Sequence, residues 1–133
     1  MELKEIVLNW IKKAESDLKT AKDEISTDNP ATDSVCFHAQ QCVEKYLKAY
    51  LIFHQRHFRK THNIAELVEL CKEINPQFDQ LYTFEVENLT PYATEIRYPE
   101  DFYFPSREEG IRAIKTAEEV KVFILKKLRD EGL

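Results

Sequence analysis

The sequence predicts an all-α fold, and three observations carry that expectation. Apolar residues recur at three- and four-residue spacing almost throughout. Only two glycines occur in 133 residues, too few for a hairpin-rich β architecture whose tight turns lean on glycine. The connectors between periodic stretches are short. Together these features predict an antiparallel up-and-down four-helix bundle with a broken third helix.

The first helix runs from Glu2 to Glu24, its stripe made of Leu3, Ile6, Val7, Trp10, Ile11, Ala14, Leu18 and Ala21. Ser26 to Pro30 stops it, and Asn29-Pro30 can cap and open the second helix. That helix extends to about His54. Val35, Cys36, Ala39, Val43, Tyr46, Leu47, Tyr50 and Phe53 share one broad arc. The other side carries His38, Gln41, Lys45 and Lys48 but is interrupted by Phe37, Cys42, Ala49 and Ile52. A helix apolar beyond one stripe is either central in its bundle or also lines a subunit interface. A basic connector, His54 to His62, comes next, and Asn63-Ile64-Ala65-Glu66 then has the form of a capping box. The helix it opens turns Ile64, Leu67, Val68, Cys71 and Ile74 inward and breaks at Asn75-Pro76. A second amphipathic stretch continues through Phe78, Leu81, Val86 and Leu89, with Pro91 expected in the first turn of its last piece. Tyr98 to Pro105 reads as an aromatic loop between two prolines. Ser106-Arg107-Glu108-Glu109 opens the last helix, with Ile114, Ala117, Val120, Ile124 and Leu128 facing in.

Composition narrows the function. Apolar residues make up 43% and charged residues 32%, as in an ordinary soluble globular protein, and residues 1–133 are expected to form a single domain. Lys and Arg number 19 against 24 Asp and Glu, a net charge of −5. Such a chain is no general DNA binder, so any nucleic-acid contact must be local. The two glycines, Gly110 and Gly132, lie too far apart for a glycine-rich phosphate loop. The longest apolar run, Ala49 to Phe53, is too short to span a bilayer. Met1 leads directly into charged residues rather than a signal peptide, so a cytoplasmic location is expected. Cys36, Cys42 and Cys71 read as reduced core residues.

Chemistry concentrates in three places. His54, Arg56, His57, Arg59, Lys60 and His62 fall within nine residues. This stretch is either a solvated basic turn or a phosphate site in which Arg56 supplies a planar charged fork and His62 an imidazole able to act as a base. A metal site on His54, His57 and His62 lacks a completing carboxylate or thiol there, so neither metal nor cofactor is expected. His38, Gln41, Lys45 and Lys48 form a stripe that is either solvated or phosphate-binding. Arg97 and Tyr98 open the aromatic loop, which either plugs the bundle or stacks a nucleobase. The carboxylates read as surface groups without a distinctive spacing.

The run from Cys36 to Ala49, with its His38, Gln40-Gln41 and Glu44-Lys45, resembles the second-helix signature of HEPN domains. Lys60-Thr61-His62-Asn63-Ile64, the stretch from Tyr92 through Arg97-Tyr98-Pro99, and Ala14, Asp17, Leu18 and Ala21 of the first helix fit the same family. The branch it most resembles is the prokaryotic stand-alone type described as nucleotide-binding or nucleotidyltransferase substrate-binding. That resemblance implies a helical homodimer acting with a minimal nucleotidyltransferase in a two-component, toxin–antitoxin-like system. His38, Gln41, Lys45, Arg97 and Tyr98 would then bind nucleotide or phosphate. The alternative it implies is a metal-independent ribonuclease toxin. Catalytic HEPN proteins carry an Arg followed after four to six residues by His, a spacing met here by Arg56 and His62. Arg97 has no histidine after it, and Asn63 stands where adenylylated toxin members carry a tyrosine.

Overall fold

Backbone capping sets where the helices begin. In a computed structural model describing residues 1–93 and 103–133, the elements are α1 (Leu3–Ile25), α2 (Thr32–Phe53), α3 (Ile64–Ile74), two 3-10 segments (Pro76–Phe84 and Val86–Ala93) and α4 (Arg107–Asp130). No strand occurs among the described residues. Asn63 and Ser106 are the N-caps of α3 and α4, their side chains accepting the backbone N–H of Glu66 and Glu109. Each box is only half closed. Glu66 instead holds the Arg59 guanidinium, and Glu109 accepts the hydroxyls of Tyr92 and Tyr103. The expected Asn29-Pro30 cap does not form. The N-cap of α2 is Ala31, without a side-chain bond of its own, and Glu24 of α1 accepts its N–H at 2.9 Å.

α2 ends where Gln55 takes a left-handed φ of 55°. Gln55 N–H then donates to Ile52 and Arg56 N–H to Leu51, the pair of bonds of a Schellman motif. α4 ends the same way on Gly132, whose φ of 109° needs glycine. Gly110 answers to space instead. A Cβ there would stand 3.1 Å from Ile25 Cδ1 and 3.2 Å from Val35 Cγ1.

The third helix breaks at Pro76, which has no N–H, and Asn75 before it is extended as a pre-proline residue should be. Beyond Pro76 the chain winds as 3-10 rather than α-helix. The buried residues repeat every three positions, Phe78 and Leu81, then Val86 and Leu89, the period of a 3-10 turn. Glu85, with φ 58°, separates the two segments. Pro91 lies inside the second segment, not in a first turn.

Cross-links show the up-and-down order. α1 meets α2 antiparallel, with Asp17 against His38 and Lys45 and Glu24 against Ala31. α4 returns antiparallel to α1, pairing Lys22 with Glu118 and Lys121 with Glu15. α2 packs on α1, α3, α4 and the second 3-10 segment. Its breadth of apolar surface is therefore used inside the chain: Cys42 and Ala49 are fully buried, while Phe37 and Ile52 are half-buried. Tyr50 and Phe123 pack on Phe78 at ring distances of 4.4 and 5.1 Å. The three cysteines are free and fully buried. Burial pushes the Cys36 thiol up to about 12 and also raises Cys42 and Cys71, so none is a nucleophile at neutral pH. No helix among the described residues is long and apolar enough to cross a membrane.

Candidate functional site

Two carboxylates that face the core organise the polar chemistry, and the surface reading of the acidic residues fails at both. Asp17 falls on the stripe of α1, between Ala14 and Ala21, and Glu44 lies on α2 beside Val43; both are buried. A charge on an apolar stripe is the signal the sequence offers for Asp17, whereas Glu44 lies outside the apolar arc of α2 and carries no such signal. A buried carboxylate needs partners, and each of these finds an imidazole and an ammonium.

Glu44 spreads its bonds over both oxygens. Oε1 accepts from His62 Nδ1 at 2.8 Å and Gln40 Nε2 at 3.1 Å, while Oε2 accepts from Lys48 Nζ at 2.9 Å. Burial alone would raise the Glu44 carboxyl, but the bonds from Lys48, His62 and Gln40 outweigh it and hold it below its ordinary value. It is therefore an anion at neutral pH. Lys48, read as part of a solvated stripe, is buried with it and lies 5.7 Å from the centre of the Phe58 ring. Gln40, fully buried, also donates to the His62 carbonyl at 3.3 Å. It accepts from Gln41 Nε2 at 2.7 Å. His62 is thus held at its ring and at its backbone. Because the Glu44 carboxylate can only accept, the Nδ1 facing it carries the proton. The His62 side chain is 57% exposed, so its Nε2 edge is left to solvent. Next to it, Asn63 N–H bonds Thr61 Oγ1 and Ile64 N–H bonds Thr90 Oγ1, fixing the entry to α3.

Asp17 repeats the pattern between α1 and α2. Oδ1 faces His38 Nδ1 at 2.8 Å, and Oδ2 accepts from Lys45 Nζ at 2.5 Å. The Phe37 ring stands edge-on to His38 at 5.3 Å. Both His38 and Lys45 keep part of their surface exposed.

The other sequence candidates go elsewhere. Arg56 donates to Glu73 of α3 at 3.3 Å and to the His57 carbonyl; no hydrogen bond or ion pair joins it to His62. His54 leaves the basic turn. Its Nε2 lies 2.9 Å from Glu131 Oε1 without hydrogen-bonding geometry, and Tyr50 OH donates to the same carboxylate. Arg97 and Tyr98 lie outside the described residues, as does most of the expected aromatic loop; Tyr103 and Phe104 at its end are exposed. Among the described residues no three His, Cys, Asp or Glu side chains are placed to hold a metal ion.

α2 contributes one member to each of two carboxylate–imidazole pairs in this helical bundle, Glu44 facing His62 of the following connector and His38 facing Asp17 of α1. The HEPN domain family model matches residues 7–128, and this chain belongs to the HEPN domain family. It is 32% identical over 125 residues to the Methanocaldococcus jannaschii protein named "Putative toxin MJ1304", covering 84% of this chain and 80% of that one. Among solved structures it resembles ST0689, described as an archaeal HEPN homologue, with a TM-score of 0.72 and 26% identity over 91% of this chain and 96% of that one.

Proposed function

We propose that this protein is the toxin-like member of a two-component system, a homodimer acting with a minimal nucleotidyltransferase, and that it binds a nucleotide or RNA phosphate at His62. The observation that supports this is the Glu44–His62 pair. A buried anion fixes the imidazole by Nδ1 and leaves Nε2 free to meet a phosphate oxygen, donating when protonated. The toxin name of the M. jannaschii relative supports the class. Arg56, occupied by Glu73, supports binding over cleavage in this arrangement.

The experiment is equilibrium binding of a short uridylate in EDTA. Wild type binds it, and His62→Ala weakens binding by roughly tenfold, the scale of one charge-assisted hydrogen bond. Binding indifferent to His62→Ala contradicts the assignment.

A metal-independent ribonuclease is the second reading, favoured by one feature: Nε2 of a carboxylate-oriented imidazole is also the geometry of a general base. In that reaction Nε2 takes the proton of a ribose 2′-hydroxyl. The 2′-oxygen bonds phosphorus as the P–O5′ bond breaks, and the departing 5′-oxygen is protonated by water. The products are a 2′,3′-cyclic phosphate and a 5′-hydroxyl.

A further inference from the structure

Gln40 is fully buried, and both the nitrogen and the oxygen of its amide are engaged. Nε2 donates to Glu44 Oε1 at 3.1 Å and to the His62 carbonyl at 3.3 Å, while Oε1 accepts from Gln41 Nε2 at 2.7 Å. These partners allow one orientation. Turned over, the amide would set its oxygen against a carboxylate and a carbonyl, and its NH2 against that of Gln41. The Glu44 oxygen that Gln40 reaches is the same Oε1 that takes His62 Nδ1. Gln40 and Glu44 are one helical turn apart, so α2 itself sets the spacing between them. One buried amide thus ties down both the anion that holds the ring and the backbone of the residue that carries it. Gln41, a ligand contact by the family resemblance, spends a donor inward on Gln40.

We propose that Gln40 is the positioning residue of the His62 site, and that Gln41 acts through Gln40 rather than by touching the ligand. This rests on the reading that His62 Nε2 meets a phosphate, and deepens it. Without the Gln40 amide, Glu44 still attracts the imidazole, but the connector that carries His62 loses its bond to α2. The ring then loses its fixed approach, and the loss falls on where Nε2 points. A purely structural role for Gln40 would lower stability and leave ring and affinity unchanged.

The test is a set of double-variant cycles read by affinity for a short 2′-O-methyl uridylate, which cannot form a cyclic phosphate, in EDTA. Gln40→Met, similar in volume, weakens binding by roughly three- to tenfold, and Gln41→Leu by about threefold, the range of one neutral hydrogen bond. In the His62→Ala background neither substitution has a further effect, because both act through the imidazole. Nitrogen-detected NMR of the free protein adds a readout that needs no ligand. The His62 Nδ1 proton signal, held by Glu44 in wild type, is broadened away in Gln40→Met while the helical circular dichroism stays at wild-type level. Gln41→Leu changes a half-buried side chain and carries the same test if Gln40→Met does not fold. An Nδ1 signal unchanged in both variants, or affinity losses that persist in full in the His62→Ala background, overturn the positioning role. If His62→Ala leaves uridylate binding at the wild-type value, the phosphate reading fails, and the NMR comparison alone decides whether Gln40 fixes the ring.

Discussion

Glu44→Ala lowers the stability of the fold by about 3–5 kcal/mol, because it leaves the buried Lys48 ammonium without its counter-charge. A domain of this size has roughly 5–15 kcal/mol in total, so the variant unfolds at a much lower urea concentration. Lys48 cannot escape by rotation; its side chain is only 9% exposed and packs on Phe58. The double variant Glu44→Leu/Lys48→Met recovers much of the loss, since apolar residues of similar volume can replace a buried ion pair. A urea midpoint for Glu44→Ala equal to wild type would show that the pair is not buried in solution.

The same carboxyl gives the fold an acid limit. Its pKa is depressed in the folded protein, since bonds from Lys48, His62 and Gln40 outweigh the opposing effect of burial. A depressed carboxyl contributes stability that is fully present above its unfolded value of about 4.3 and is lost as pH falls through the folded value. The Glu44 contribution therefore disappears below that window, and Glu44→Gln, which cannot ionise, lacks it.

The second large effect belongs to the cleavage reading. If wild type cleaves RNA in EDTA, His62→Ala reduces the rate by about 10²–10⁴-fold, the usual worth of a general base. Glu44→Gln keeps a neutral acceptor but removes the charge that stabilises the imidazolium formed on proton transfer, so it also slows the reaction. Arg56→Lys separates two roles for that residue. Loss of activity would mean that Arg56 leaves Glu73 and uses its planar fork on the phosphate. Unchanged activity would restrict Arg56 to its α3 contact with Glu73. Products are read as 2′,3′-cyclic phosphate termini.

Much of the bundle is legible in the residues themselves. The stripe of α4 from Ile114 to Leu128 and the arc of α2 from Val35 to Tyr50 are buried as their spacing requires, and Asn63 and Ser106 begin their helices as caps. The start of α2 is hidden because its capping acceptor, Glu24, comes from the preceding helix. The 3-10 segments are hidden because a spacing of three also fits an α-helix over so few residues. His62 stands out through the basic residues around it, yet those neighbours are not what holds it. Glu44 does not stand out, because charged side chains are most often at the surface, and Asp17 shows only as a charge on the apolar stripe of α1. Only tertiary contacts, across 18 residues from Glu44 to His62 and 21 from Asp17 to His38, turn them into anchors.

The central claim is that Glu44 holds His62 by Nδ1 and that Nε2 meets the phosphate. Nitrogen-detected NMR of the histidine side chains, during titration with a 2′-O-methyl uridylate, tests it directly. The account predicts a proton on His62 Nδ1 in the free protein, an Nε2 resonance that moves on titration, and loss of the fixed Nδ1 contact in Glu44→Gln. A free-protein ring that lacks a proton on Nδ1, or an Nε2 resonance indifferent to the ligand, contradicts it.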